Sequence, residues 1–226
     1  MMKPDGRLWV RAWGLALALV TFGTVYFFYR QFVKDGIWRF DLALVNKSLG
    51  TAALAVIALS MIMTSLAYFK LGPVRLLAWR KHLGLVGFWT GLAHGAVNHI
   101  LLPVVGLAAE TKGESLHGEA AGLAALAIFA ALAVLSLDRV RRRLDGAVWR
   151  KALRYGGYAG LILAAGHAVL LKGSSWLNFF RTFKPFLPSL SLPAAALAAA
   201  AVLLRVGIAI AQKAKGAKAT SAFPDL

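Results

Sequence analysis

Two histidines, His94 and His167, lie inside two different long apolar stretches of the chain. An ionisable side chain at membrane depth is costly, so it marks a functional site by default. Imidazole is a frequent axial ligand of haem iron, and a second imidazole on a facing helix completes the coordination. The pair therefore predicts a b-type haem inside a helical bundle, with His94 and His167 as the metal ligands.

A haem site of this kind requires membrane-spanning helices to carry the two histidines. The composition of the chain predicts such helices. Of the 226 residues, 59% are hydrophobic and the mean hydropathy is +0.67, whereas a soluble domain is usually about 45–50% apolar. The sequence predicts an all-α integral membrane protein, a six-transmembrane-helix bundle within residues 1–211 followed by a short basic tail at 212–226. The six segments lie near residues 9–29, 42–69, 84–106, 119–137, 152–172 and 188–211.

Composition also excludes several classes of chemistry. The chain has no cysteine, which excludes disulfides, iron–sulfur clusters and thiolate-bound metals. No Gly-rich phosphate loop or flavin domain is visible, so separate redox donor and acceptor proteins are expected if electrons move. The net charge of +17 is interpreted as basic residues that flank the spans and meet anionic membrane lipid. No nucleic-acid partner is expected, because no aromatic-basic binding module is present.

Charged loops predict the orientation of the bundle. The second and fourth loops are strongly basic, and both should be cytoplasmic, which places both termini in the cytoplasm. The third loop carries Glu110, Glu114 and Glu119 against Lys112 and should lie outside. The fifth connection, Gly173 to Ser189, is rich in aromatic residues and is predicted to lie along the outer leaflet as an interfacial segment.

Both central histidines should lie in the middle or outer half of the membrane. At 1.5 Å per residue, His94 is about 15 Å and His167 about 22 Å into their helices, depths that one porphyrin could bridge. The alternative is two unrelated polar residues hydrogen-bonded to neighbouring helices. Glycines recur along both helices, and they allow close approach of either a flat macrocycle or another helix. These are Gly84, Gly87, Gly91, Gly95, Gly156, Gly157, Gly160 and Gly166.

The other histidines are predicted to lie nearer the membrane surfaces. His99 should point about 140° away from His94 on a regular helix, and with Asn98 it is expected on the outer exit path. His117 should be solvated in the outer loop. His82 follows Lys81 at the inner boundary and is expected to be an interfacial base or to contact a haem propionate or a lipid phosphate. A role as a second ligand is the less favoured alternative.

Three stretches carry a family resemblance over about residues 40–210. RKHLGL at 80–85 leads to His94, WRKALR at 149–154 leads to Gly166 and His167, and NKSLG lies at 46–50. The chain resembles the ferric-reductase-like transmembrane family and is most similar to its MsrQ branch, haem-binding membrane subunits of methionine-sulfoxide reductase systems. The resemblance implies that His94 and His167 are haem ligands in a multi-pass protein of the bacterial inner (plasma) membrane.

One position departs from the family pattern. MsrQ-like sequences place another histidine in a Leu-His-Arg run 13 residues before the later ligand, and here that position is Arg154. The sequence therefore predicts one haem, toward the outer side. Arg154, with Lys81 and His82, would form a basic inner rim that neutralises a propionate or holds an anionic cofactor headgroup.

Three functions follow as hypotheses. The first is a transmembrane cytochrome that takes electrons from a cytoplasmic flavin reductase or from quinol and passes them outward, with quinone or an externally supplied flavin as further cofactors. The second is a structural or assembly subunit of a larger membrane redox complex, with or without haem. The third is a small-solute transporter, which is disfavoured because inverted repeats, broken helices and central carboxylates are not visible.

Overall fold

The structure is a computed structural model that describes residues 4–106 and 116–221. Every regular element in these ranges is helical. The long helices are α1 (Pro4–Asp35), α2 (Leu42–Tyr68), α3 (Trp79–Ala96), α4 (Leu116–Leu135), α5 (Gly146–Thr182) and α6 (Ser191–Ser221). A 3₁₀ turn (Val74–Ala78) precedes α3, a π-helical turn (Val97–Leu101) and a short helix (Leu102–Val104) continue it, and a helical turn (Asp138–Arg141) precedes α5.

The prediction of a six-helix membrane protein is confirmed in its main part. Within the described residues, six helical segments are long and apolar enough to cross a membrane. They are Gly6–Asp35, Leu42–Tyr68, Val74–Val104, Leu116–Leu135, Gly146–Thr182 and Ser191–Ala214. The acidic loop predicted from Glu110, Glu114 and Lys112 lies outside the described residues.

Helix α2 is the centre of the bundle. Half of its most apolar window is buried inside the protein, against a third or less for each other span. One face packs on α6, where Ala194, Ala198 and Ala201 are buried and their small side chains allow close helix approach. The other face packs on α1 and α3 through Val56, against Leu83 and the neighbouring core residues.

Two predicted boundaries are wrong. The fifth connection was expected from Gly173, but α5 continues without a break to Thr182. Glycine and serine at 173–175 lower helix propensity without breaking the helix, and the first proline downstream is Pro185. Helix α6 likewise continues through Ser221, ten residues beyond the predicted end of the sixth span and into the stretch predicted as a short basic tail.

The helix ends collect at two sides of the bundle. At the first, end A, the Tyr26 hydroxyl donates to the Pro188 carbonyl and Arg30 Nε donates to the Leu187 carbonyl, which joins α1 to the α5–α6 connection. At the second, end B, the Trp9 ring meets His82 with ring centres 4.9 Å apart, at the start of α3. The segments that carry His94 and His167 both run from end B toward end A.

Candidate cofactor site

The structure brings the two central histidines together. The rings of His94 on α3 and His167 on α5 have centres 6.4 Å apart, with their planes inclined at 69°. Both line a cavity of about 750 Å³, here called the end-A cavity, which also includes residues of α2 and α4. Its volume falls within the range of about 300–1,000 Å³ that is usual for small-molecule and cofactor sites.

Helix α2 fixes the orientation of His94. Its Nδ1 lies 3.0 Å from the backbone carbonyl of Asn46 and 2.8 Å from the side-chain oxygen of the same residue. The Asn46 amide nitrogen in turn donates to Asn98 Oδ1 at 3.3 Å. Because carbonyl oxygens only accept, Nδ1 of His94 carries the proton, and the Nε2 lone pair is left for a ligand.

Helix α4 fixes the orientation of the His167 ring. Its Nδ1 lies 2.8 Å from the backbone carbonyl of Gly118, so Nδ1 is again the protonated nitrogen. A histidine that ligates a metal almost always donates its other ring N–H to such an acceptor, which fixes the tautomer and the ring direction. Each of the two histidines therefore has the hydrogen bond expected of a metal ligand.

Two glycines make room for the imidazole rings. A Cβ at Gly50 would lie 3.0 Å from Cε1 and Nε2 of His94. A Cβ at Gly122 would lie 2.7 Å from Nδ1 of His167, closer than real Cβ contacts come. Any side chain at position 122 would therefore displace the His167 ring.

Sequence reasoning did not identify the partners of His94 and His167. Asn46 entered the sequence analysis only within the NKSLG motif, although an amide near the start of an apolar span is itself a signal. Gly118 and Gly122 are spaced as a GxxxG pair, which indicates a close approach between membrane helices. These signals suggest a close contact without identifying the histidine as the partner.

The predicted orientation of His99 is wrong. It was expected to point away from the face of His94, yet it lines the same cavity together with Asn98. A π-helical turn at Val97–Leu101 directly follows α3 and contains both Asn98 and His99. The side chain is exposed, so His99 lies at an open part of the cavity.

Most of the recurring glycines serve helix packing. Gly87 lies against Ile57, Gly157 against Met61 and Gly160 against Phe129, at distances that leave no space for a Cβ. Gly91 and Gly95 are placed differently from these three, because both also line the end-A cavity. Close helix approach is therefore the main role of the series.

The residues predicted for the inner rim divide into two groups. Lys81 and Arg154 line a second cavity at end B and lie apart from His94 and His167. His82 lines neither cavity: it is buried, its Nδ1 lies 3.0 Å from the Ala78 carbonyl, and its ring meets Trp9 of α1. His82 therefore lies outside the linings of both cavities. His117 is exposed at the start of α4.

The histidine pair fits a metal that brings further ligands of its own. Among the described residues, no three His, Asp or Glu side chains converge as a bare metal ion would need. A metal–imidazole bond is about 2.0 Å long, and the centre of the ring lies about 1.1 Å beyond the bonded nitrogen. When two imidazoles bind one metal from opposite sides, their ring centres are therefore about 6 Å apart. The observed 6.4 Å between the ring centres is compatible with this separation, so His94 and His167 could hold one iron whose remaining ligands come from a macrocycle.

Comparison of the chain with protein-family models finds no match, and comparison with curated proteins finds no similar relative. The resemblance to the ferric-reductase-like family therefore depends on the quoted sequence motifs alone.

Proposed function

We propose that this protein is a membrane b-type cytochrome that carries electrons through one haem in the end-A cavity. His94 and His167 hold the haem through their Nε2 atoms. The single observation behind the proposal is the paired arrangement of the two rings, 6.4 Å apart, each with Nδ1 hydrogen-bonded to a carbonyl of a neighbouring helix. Haem content and the visible spectrum of the purified protein test it directly.

Haem held by two imidazoles supplies one-electron transfer and has no open iron position for oxygen chemistry. The chain's own groups prepare that site. Asn46 and Gly118 hold the rings in one tautomer, so the ligand nitrogens need little reorganisation. Gly50 and Gly122 keep side chains away from the rings.

Basic side chains around the end-A cavity favour an anionic group at its mouth. Haem carries two propionates, and carboxylates bind guanidinium and ammonium groups with charge-assisted hydrogen bonds. The basic residues of the lining are Arg30, Lys34, Arg39, Lys47 and Lys172, accompanied by the acids Asp35, Asp41 and Glu119. We assign the propionates to this basic part of the lining.

The family resemblance extends the proposal to partners. The donor is a cytoplasmic flavin reductase or the quinol pool, and the acceptor is a protein or redox complex at the outer face. His99, whose side chain is exposed, and Asn98 both line the cavity and are the proposed exit toward the acceptor. The location proposed with this is the bacterial inner membrane.

We also propose that end A faces outward and end B faces the cytoplasm. The α2–α3 and α4–α5 connections are rich in lysine and arginine, and such loops stay on the cytoplasmic side. Reporter fusions to residues 71–73 and to the C-terminus should be active only as cytoplasmic reporters. A fusion within residues 184–188 should be active only as an exported reporter, and the reverse pattern would contradict this orientation.

A second candidate is a structural subunit of a larger membrane redox complex. The observation that favours it is the lining of the end-B cavity, which contains no histidine among the described residues. A single haem near end A leaves the half of the membrane at end B without a carrier from this chain. Purification in stoichiometric amounts with partner subunits and without reducible haem would support this candidate.

Changes at Asn46 should tune the haem potential. The hydrogen bond to His94 Nδ1 makes the imidazole a stronger donor to ferric iron. In Asn46→Leu the backbone carbonyl of residue 46 still accepts from His94 Nδ1 and only the side-chain acceptor is lost. The reduction potential should therefore rise by less than about 40 mV, the equivalent of a whole hydrogen bond of about 1 kcal/mol. Asn46→Asp keeps an acceptor and adds negative charge, so it should shift the potential in the opposite direction. Redox titration of the α band measures both shifts, and shifts of the same sign would contradict this role.

A further inference from the structure

The end-B cavity has no assigned occupant. It measures about 490 Å³ and lies between α2, α3, α4, α5 and α6. Ile57 and Phe129 line both cavities and separate them. No histidine lines the end-B cavity among the described residues, so it offers no imidazole to an iron.

The lining of the end-B cavity is strongly basic. Six arginine or lysine side chains contribute to it, whereas no aspartate or glutamate of the described chain does: Arg80, Lys81, Arg141, Arg150, Arg154 and Arg205. Arg80, Arg154 and Arg205 come from three different helices and lie within segments that are long and apolar enough to cross a membrane. Arg154 and Arg205 are close enough to Arg80 for their charges to repel it. Such clustering is costly unless an anion accompanies it.

Asp145, at the start of α5, lies near Arg150 but is not among the charged neighbours of Arg80. Asp145 Oδ1 accepts the backbone N–H groups of Ala147 and Val148, and these hydrogen bonds hold the pKa of Asp145 below its usual range. It therefore acts as the N-cap of α5. The ion pairs Lys34–Asp35 and Arg39–Asp41 lie at the end of α1 and directly after it, at end A, and not in this cavity.

The remaining lining suits an amphiphile with a phosphate group. Arginine forks bind phosphate oxygens with two parallel charge-assisted hydrogen bonds. The Thr64 hydroxyl lies in the same lining, buried and without a hydrogen-bond partner among the described residues. Leucines from α3, α4 and α5 complete the wall: Leu85, Leu132 and Leu153. This combination offers polar contacts to a headgroup and apolar contacts to an acyl chain.

We propose that the end-B cavity binds the phosphate group of an anionic phospholipid from the adjacent leaflet. Arg80, Arg154 and Arg205 contact the phosphate. Basic pockets between membrane helices are typical sites for such headgroups. Arg154 is exposed at the helix surface, so the site is accessible from outside the bundle. The proposed lipid site shares no residue with the proposed haem site, so lipid binding can be tested independently of the cytochrome assignment.

Titration with phosphatidylglycerol tests the proposal. The full-length protein is purified in a zwitterionic detergent, stripped of lipid and titrated, with bound lipid counted by native mass spectrometry. The cavity variant combines Arg80→Gln, Arg154→Gln and Arg205→Gln. The matched control combines Arg139→Gln, Arg142→Gln and Arg143→Gln, which removes three charges from the same end but from residues outside the cavity lining.

The wild-type and control proteins should each retain about one tightly bound lipid. The cavity variant should bind it at least about tenfold more weakly than the control, because charge-assisted hydrogen bonds are lost. Equal weakening in the two variants, or no tightly bound lipid in the wild type, would overturn the proposal. The single variant Arg154→Gln changes an exposed side chain and should lose part of the lipid affinity that the triple variant loses. It tests the proposal if the triple variant fails to fold.

Inorganic phosphate distinguishes the source of the anion. If the lipid is the ligand, millimolar phosphate should leave lipid binding unchanged in the wild-type protein. Displacement of the lipid by phosphate, together with saturable phosphate binding that the cavity variant lacks, would overturn the lipid assignment and identify a soluble phosphate compound as the ligand.

Discussion

Replacing either central histidine is expected to abolish haem binding while the bundle remains folded. In His94→Ala or His167→Ala, haem per chain should fall at least tenfold, since weakening outer-shell contacts alone typically costs about 10–100-fold in metal affinity. Any residual haem should be five-coordinate and high-spin, because one axial bond is missing. The measurement is the pyridine haemochrome assay together with the reduced-minus-oxidised spectrum of each purified variant.

His117→Ala is the matched control for this experiment. The His117 side chain is exposed at the start of α4, one residue before Gly118, whose carbonyl accepts from His167. It should bind haem as the wild type does, and all three variants should elute as single species with unchanged helical circular dichroism. Full haem content with an unchanged low-spin spectrum in His94→Ala or His167→Ala would refute the ligand assignment.

The second large effect is expected at a position that carries no polar group. Gly122→Ala should reduce haem content at least tenfold, because the new Cβ would lie 2.7 Å from Nδ1 of His167. The ring must then move, which breaks its hydrogen bond to Gly118 and misdirects its Nε2 atom. The measurement is again haem per chain, compared with the variant's thermal unfolding temperature.

Gly166→Ala provides the comparison. Gly166 is adjacent to His167 on α5, and a Cβ there meets nothing within 4 Å. It should retain haem and should be as stable as the wild type or slightly more stable, since alanine favours helix over glycine by about 1 kcal/mol. Equal haem content in the variants at 122 and 166 would show that the close contact with the ring is not required.

The sequence predicted the broad architecture well, because long runs of apolar residues identify membrane-spanning helices. It also selected His94 and His167, since ionisable residues are conspicuous at membrane depth. The sequence predicted less well which faces of the helices contact one another. His82 and Arg154 looked equivalent in sequence, yet His82 packs on α1 whereas Arg154 lines the end-B cavity.

Local geometry explains the other differences. His99 lines the cavity within a π-helical turn that follows α3, and helical periodicity alone does not show such a turn. The contact between Gly122 and His167 depends on how α4 packs across α5. The sequence of either helix alone does not show this packing. Arg205 lies in the last span, far in sequence from Arg80 and Arg154, so the basic cluster at end B becomes visible only in the folded bundle.

The most direct test of the central claim is electron paramagnetic resonance of the oxidised wild-type protein, with haem and protein quantified in the same sample. A bis-imidazole site predicts a low-spin ferric haem at about one per chain. A folded preparation, made with haem available, that contains no haem or only high-spin haem would contradict the proposed function. Two low-spin haems per chain would contradict the assignment of a single site at end A.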